Sequence, residues 1–212
     1  MQISCYIAFM EYNETIQEVL DFLVRNSISY EIYTHPSLFT IEEALEYWAK
    51  IDASHTDGTG PTHCKNLFMR NHKGNRHYLI SYECHKQLDV HGLEHLLHQG
   101  KLSFASPERL ERCLGVKPGS VGMFGLIHDM DLTIPKGNDG DSGTMVPAPG
   151  VDPKELFENG HRVKFFYDSA LLEAPSVSFH PCDNTATVVI SGADFRRFLE
   201  IWGGEAEALD IQ

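Results

Sequence analysis

The 212-residue chain has no Cys-x-x-Cys pair, no His-Glu-x-x-His motif and no internal repeat. It also lacks any apolar run near the roughly 20 residues that a membrane-spanning helix needs. Its five cysteines (Cys5, Cys64, Cys84, Cys113 and Cys182) are scattered and odd in number, which argues against a disulfide framework and against a cysteine-rich zinc site. A reducing cytoplasm is the expected setting. Met1 to Met10 has an apolar patch but no basic start and no small-residue cleavage site, so no signal peptide is expected. Positive charge is scarce: 17 Lys and Arg stand against 30 Asp and Glu, a formal net charge of −13. That balance disfavours a broad non-specific grip on DNA or RNA, which needs a basic surface. A local basic pocket for the end of an RNA stays possible.

What is present suits a folded enzyme or binding module. Hydrophobic residues make up 42% and charged residues 22%, a soluble globular balance. The length suits one domain over 1–212. A first helix is expected from Thr15, with Glu18 completing a capping box, and a second from Thr40 with Glu43. Asp52 to His63 reads as a loop. Asn66 to Arg70 and Arg76 to Ser81 read as a hairpin. A helix follows around Val90 to Leu97, and another opens at Ser106-Pro107 and stops at Gly115. Phe124 to Ile127, Val163 to Tyr167, Ser176 to Phe179 and Thr185 to Ile190 read as strands, and Ser191 with Asp194 caps a last helix. Residues 135–160 are rich in Gly and Pro and read as a surface insertion with a short helix near Pro153 to Phe157. Residues 203–212 read as a loose acidic tail. The mixture predicts an α+β (or α/β) fold with a mixed sheet and flanking helices.

Three segments carry chemistry. Lys65-Asn66-Leu67-Phe68 sets a lysine and an asparagine at the start of a strand. Gly115-Val116-Lys117-Pro118-Gly119-Ser120-Val121 is a turn able to present backbone N–H groups to an anion or a carbonyl oxygen. Phe179-His180-Pro181, followed by Asn184-Thr185-Ala186-Thr187, sets a histidine at a strand end beside small polar residues. Each has an ordinary structural explanation by itself, and spacing alone does not join them. Two rival chemistries are also legible. His91, His95 and His98 lie at helical spacing and suggest a metal, but no third acidic ligand is evident. Cys64 beside Lys65, and Cys182 near His180, could be nucleophiles.

Together the three segments resemble the YbaK and prolyl-tRNA-synthetase-associated editing family, most of all its free-standing alanyl-tRNA(Pro) deacylases. Thr34-His35-Pro36 and Glu42-Glu43-Ala44 match as well, and the likeness spans roughly 14 to 200. The resemblance implies a trans-editing hydrolase that removes alanine from mischarged tRNA for proline, without metal or cofactor. It implies that Lys65 holds the terminal adenosine, Asn66 orients it, and backbone N–H groups at Gly119 and Ser120 hold the oxyanion. His180 would position substrate or water, with the tRNA's own ribose hydroxyl helping to activate that water. Val121, Asn184, Thr185 and Thr187 would line the substrate pocket. Partners implied are the 3′ end and acceptor stem of an aminoacylated tRNA and a prolyl-tRNA synthetase, with no membrane and no DNA. Lys101, Arg109, Arg112 and Lys117 are candidates for the stem. Another small amino acid, or binding without catalysis, is the alternative. Two departures stand out: Met123 occupies the place where the family's loop usually ends in proline, and the 135–160 insertion is longer than usual.

Overall fold

A computed structural model describes residues 12–38, 40–55, 60–136 and 144–212. The elements run α1 (Glu14–Arg25), β1 (Tyr30–Thr34), α2 (Ile41–Ser54), β2 (Thr62–Arg70), β3 (His77–Glu83), α3 (Val90–Leu97), β4 (Ser103–Phe104) and α4 (Pro107–Leu114). There follow β5 (Thr133–Pro135), β6 (Met145–Pro147), β7 (Val163–Asp168), α5 (Ala170–Glu173), β8 (Ser176–Phe179), β9 (Ala186–Ser191), α6 (Gly192–Trp202) and β10 (Ala206–Leu209). The main sheet has the order β1-β9-β8-β2-β3-β7-β10, with β4 attached to β2. It is mixed: β2/β3, β8/β9 and β1/β9 are antiparallel, while β2/β8, β3/β7 and β7/β10 are parallel. The expected α+β fold with flanking helices is the one adopted.

The period-2 pattern of each strand sends alternate residues to opposite faces. From β9, Ala186, Val188 and Ile190 enter the larger core with Leu23 of α1, Leu114 of α4 and Phe198 of α6. Val189 faces the other way and packs with Ala44, Trp48 and Ile51 of α2. Met69, Tyr78, Ile80 and Phe166 form a third cluster with Leu93 of α3. Both faces are therefore covered, which explains why strands such as β3 and β9 are buried almost throughout.

Local signals account for most helix ends. Thr40 and Glu43 form the expected capping box, Ser191 accepts from the Asp194 N–H, and Gly115 ends α4 at φ 64°. The first helix differs: Asn13 is its cap, accepting from the Ile16 N–H at 2.9 Å, so the helix already starts at Glu14 and Thr15 lies inside its first turn. Met123–His128 is a 3-10 helix, not the expected strand. Its Met123, Phe124 and Leu126 are fully buried, so this apolar run fills the core instead of joining a sheet. Helix α2 continues through Asp52 and Ser54, residues expected in a loop; 56–59 lie outside the described residues.

The proposed insertion is partly built in. Strands β5 and β6 pair as a hairpin, a 3-10 turn spans Pro153–Glu155, and 137–143 lie outside the described residues. Asp129 anchors its base: the carboxylate accepts the N–H groups of Arg162 and Val163, each at 2.9 Å, and its carbonyl accepts the Trp202 indole N–H at 3.0 Å. Burial pushes this carboxyl up to about 7.

The tail expected to be loose is not. Ala206–Leu209 adds β10 in parallel to β7, and Ile211 is buried against the third cluster. Backbone pairing and one isoleucine outweigh the acidic composition that suggested a free end. Ile211→Ala should cost about 2–4 kcal/mol in denaturant unfolding, the usual penalty for emptying a buried isoleucine site. An unchanged midpoint would mean that the C-terminal segment is not docked.

Candidate functional site

The site lies where the main sheet opens. Strand β2 pairs with β8 only at Thr62 and His63, opposite Val177 and Ser178. It meets β4 only from Met69. Between these, Cys64 to Leu67 have no strand on that edge among the described residues. The gap holds a cleft of about 320 Å³, lined by Cys64, Lys65, Asn66, Leu67, Gly119, Val121 and His180. The other wall is Leu38, Thr40, Ile41, Ala44 and Trp48. All three segments singled out in the sequence thus converge on one cavity.

The loop is fixed by two contacts. The Ser120 N–H donates to the Lys117 carbonyl at 3.1 Å, closing a turn with Pro118 and Gly119 at its centre. Gly119 has φ +91°, the left-handed geometry that the third position of such a turn requires. This corrects one expectation: the Ser120 N–H belongs to the turn and is not a spare oxyanion donor. The N–H groups of Gly119 and Val121 donate to nothing else among the described residues. Beyond the turn, a Cβ on Gly122 would lie 3.1 Å from the His180 carbonyl oxygen, so this glycine lets the loop rest directly on the histidine's backbone. Met123, where a proline is usual, is fully buried and anchors the loop by packing.

His180 is part-buried at the cleft. Its Nδ1 lies 2.9 Å from the Ala186 carbonyl, so Nδ1 carries the hydrogen and Nε2 is left as an acceptor. Burial, the largest influence, holds the imidazole below its ordinary pKa and hence neutral. Asn66 is fixed by the Ser81 hydroxyl, which donates to its Oδ1 at 2.6 Å. No carboxylate pairs with Lys65 among the described residues.

The remaining expectations sort differently. Asn184 and Thr185 do not line the cleft. Asn184 Nδ2 donates to the Leu38 carbonyl and its own carbonyl accepts the Leu38 N–H, both at 3.3 Å, while the Thr185 carbonyl accepts the His35 N–H at 2.9 Å. They clamp the segment that carries Leu38 and so act at one remove. Thr187 borders a small chamber behind the cleft and bonds His35 Nε2 at 3.0 Å. Of the stem candidates, Arg109 is spent on the Gly74 carbonyl and His77 Nε2, both at 2.7 Å, and Arg112 on Glu155 at 2.8 Å. The cysteine rival fares poorly. Burial raises the Cys64 thiol well above its ordinary value and pushes Cys182 up to about 12, so neither is a ready thiolate. His91 is paired with Glu94 at 3.0 Å.

Sequence reasoning missed Leu38, Ile41 and Trp48 as wall residues and the pair of buried His63 with half-exposed Asp52. Trp48 stacks on His63 at 4.6 Å with an interplanar angle of 8°, and His63 bonds Asp52 at 3.1 Å and Ser178 at 2.7 Å. The only available signal was that Thr40, Ala44 and Trp48 share a helix face, which reads equally as plain core.

The cleft thus brings together a lone cation, spare backbone donors and a neutral histidine on one mixed sheet. Residues 35–135 match the family described as aminoacyl-tRNA editing domain. The chain is 30% identical over 195 residues, covering 92% of it and 96% of the relative, to the prolyl-tRNA editing protein ProX of Acetoanaerobium sticklandii. It is 29% identical over 189 residues to prolyl-tRNA synthetase associated domain-containing protein 1 of Mus musculus, covering 87% and 89%. A crystal structure of a candidate trans-editing enzyme for prolyl tRNA synthetase shares the fold at TM-score 0.57 and 17% identity, covering 95% of this chain and 99% of that one. The chain belongs to the aminoacyl-tRNA editing family, and its activity is that of an aminoacyl-tRNA hydrolase.

Gly122→Ala should reduce ester hydrolysis at least tenfold while leaving the fold cooperative, because the new methyl pushes the loop off His180. Comparing kcat/KM with the unfolding midpoint checks this; full activity would mean that the loop–histidine contact is dispensable.

Proposed function

We propose that the protein is a trans-editing deacylase that hydrolyses alanine from mischarged tRNA for proline and works without a metal. The observation that carries this reading is Lys65: a half-buried ammonium at the cleft, with no acidic partner among the described residues, in a chain of net charge −13. Acidic residues are plentiful, so an unpaired cation in a cleft calls for an anionic or polar ligand. An ammonium acts there as a compact point charge on the phosphate or sugar of a terminal adenosine. Asn66, held by Ser81, presents its amide beside it.

The chemistry asks little of the protein. An aminoacyl ester is already activated, so positioning and charge stabilisation supply most of the acceleration. As water adds, the carbonyl oxygen becomes an alkoxide, and the N–H groups of Gly119 and Val121 are placed to receive it. One such donor is typically worth about 3 kcal/mol of barrier. His180 acts as a neutral acceptor that orients what enters the cleft, with the hydroxyl next to the ester on the ribose helping to order the water. Leu38, Ile41, Ala44 and Trp48 form the wall that limits the amino acid. A methylene is worth only about 1–3 kcal/mol in a yielding pocket, so this wall must be rigid. The His63 stack on Trp48 and the Asn184 clamp on Leu38 stiffen it.

The test is a panel of tRNA for proline carrying alanine, serine, cysteine or proline. Alanine should be released and proline spared, activity should survive chelation by EDTA, and Lys65→Ala should lower kcat/KM by about a hundredfold or more. Binding without release of any amino acid would point to a non-catalytic module. A second test follows from His180. Its pKa is depressed by burial, so the neutral acceptor form is kept until the pH falls below the ordinary value of about 6.5. The acid limb of the kcat/KM profile should therefore lie below that pH; a limb centred above pH 7 would remove His180 from this role.

A further inference from the structure

Behind the cleft is a chamber of about 10 Å³ bordered by Cys64, Asn66, Ser178, His180, Thr187 and the Trp48 ring. That is room for about one heavy atom. It shares Trp48, Cys64, Asn66 and His180 with the cleft and so forms the cleft's deep end. The register explains the convergence: Ser178 and His180 are two residues apart on β8 and its extension, and Thr187 falls opposite His180, all on one face.

Most of the hydrogens of these groups are directed away from the chamber. His35 Nδ1 lies 2.9 Å from the Pro36 carbonyl, which can only accept; Nδ1 therefore bears the hydrogen, and Nε2 takes the Thr187 hydroxyl hydrogen at 3.0 Å. His63 Nε2 faces the Asp52 carboxylate at 3.1 Å, so its Nδ1 takes the Ser178 hydroxyl hydrogen at 2.7 Å. His180 gives its hydrogen to Ala186, and the Cys64 thiol turns to the Thr62 carbonyl at 3.6 Å. The Asn66 amide nitrogen turns to the Cys64 carbonyl at 3.5 Å. The acceptors that the walls have left to offer are the lone pairs on Ser178 Oγ, Thr187 Oγ1 and His180 Nε2, beside the second N–H of the Asn66 amide.

We infer that this deep end receives the α-ammonium of the aminoacyl ester, its three N–H bonds meeting three neutral acceptors, and that proline is refused at its nitrogen. The inference rests on the deacylase reading. A primary ammonium brings one heavy atom into the chamber. Proline's nitrogen carries a ring carbon as well and has one N–H fewer, so it is both too large and underbonded. Selection then works at the nitrogen in addition to the side-chain wall.

The test compares alanyl, N-methylalanyl and lactyl esters on the same tRNA for proline, with wild type, Ser178→Ala and Thr187→Val. Wild type should cleave the N-methylalanyl ester at least tenfold more slowly than the alanyl ester, and the lactyl ester, which lacks the ammonium, about tenfold more slowly. The two variants should lose about tenfold in kcat/KM on the alanyl ester and much less on the lactyl ester. Equal rates for alanyl and N-methylalanyl esters with wild type would overturn the inference whatever the variants do. An equal loss on alanyl and lactyl esters in both variants would also overturn it, assigning the chamber to a water molecule instead. If wild type leaves the alanyl ester intact, the deacylase reading itself fails.

Discussion

The parting of β8 from β2 after a two-residue parallel pairing is the constraint on which the site depends. A continued ladder would have paired the edge from Cys64 to Leu67 and closed the cleft. The parting is held by chemistry at its fork: His63 on β2 bonds Ser178 on β8 and at the same time stacks on Trp48 of α2. The helix is thereby tied to the fork, and the cleft opens immediately beyond it. The loop from Lys117 to Gly122 closes the far side by lying on the backbone of His180, the first residue after β8. Lysine, loop and histidine come from distant parts of the chain, yet their positions follow from one break in a sheet.

Much of this was legible in the sequence because the signals were local. Capping residues, the Pro-Gly turn and alternation in the strands each act within a few residues of where they are read. The elements that were misread are those decided by distant contacts. Phe124 to Ile127 has strand-like composition, but the core between α1, α4 and α6 takes it as part of a 3-10 helix. The acidic tail has no periodicity that announces a strand; the open edge of β7 makes it one. The same holds for the site. Lys65, Asn66, Gly119, Val121 and His180 stand in motifs, and all of them line the cleft. Asn184 and Thr185 stand in a motif too, but their polar groups are spent on the chain from His35 to Leu38. Motif membership alone does not say whether a residue lines the cleft or braces the chain beside it. Trp48, His63 and Asp52 carry no motif, since a tryptophan on a helix face and a histidine in a strand read as core.

The histidines near the cleft follow one rule. His35, His63 and His180 each have one ring nitrogen fixed by an oxygen outside the cavity, a carbonyl for two and a carboxylate for the third. That choice sets the other nitrogen as an acceptor, and through Thr187 and Ser178 it sets the polarity of a space none of these oxygens touches. Burial favours the neutral ring at His63 and His180, so the arrangement is stable in the range where a free histidine would titrate. A polar cavity is thus given mainly accepting walls without placing a bare charge in it, which would cost far more to desolvate.

Charge completes the argument about what can be recognised. With net −13, the chain repels a polyanion at long range, and two arginines that composition offered for an acceptor stem are consumed within the fold. Each phosphate contact contributes affinity that fades as salt rises, and a surface with few free cations can make few of them. On the proposed reading, the interaction is therefore concentrated at the terminal nucleotide and the amino acid, around Lys65 and the small chamber. The body of the tRNA is left largely unread by this chain. Discrimination among tRNAs must then come from the few terminal nucleotides or from a second protein that already holds the right one. Discrimination among amino acids rests, on the same reading, on the wall and the fixed acceptors of the cleft.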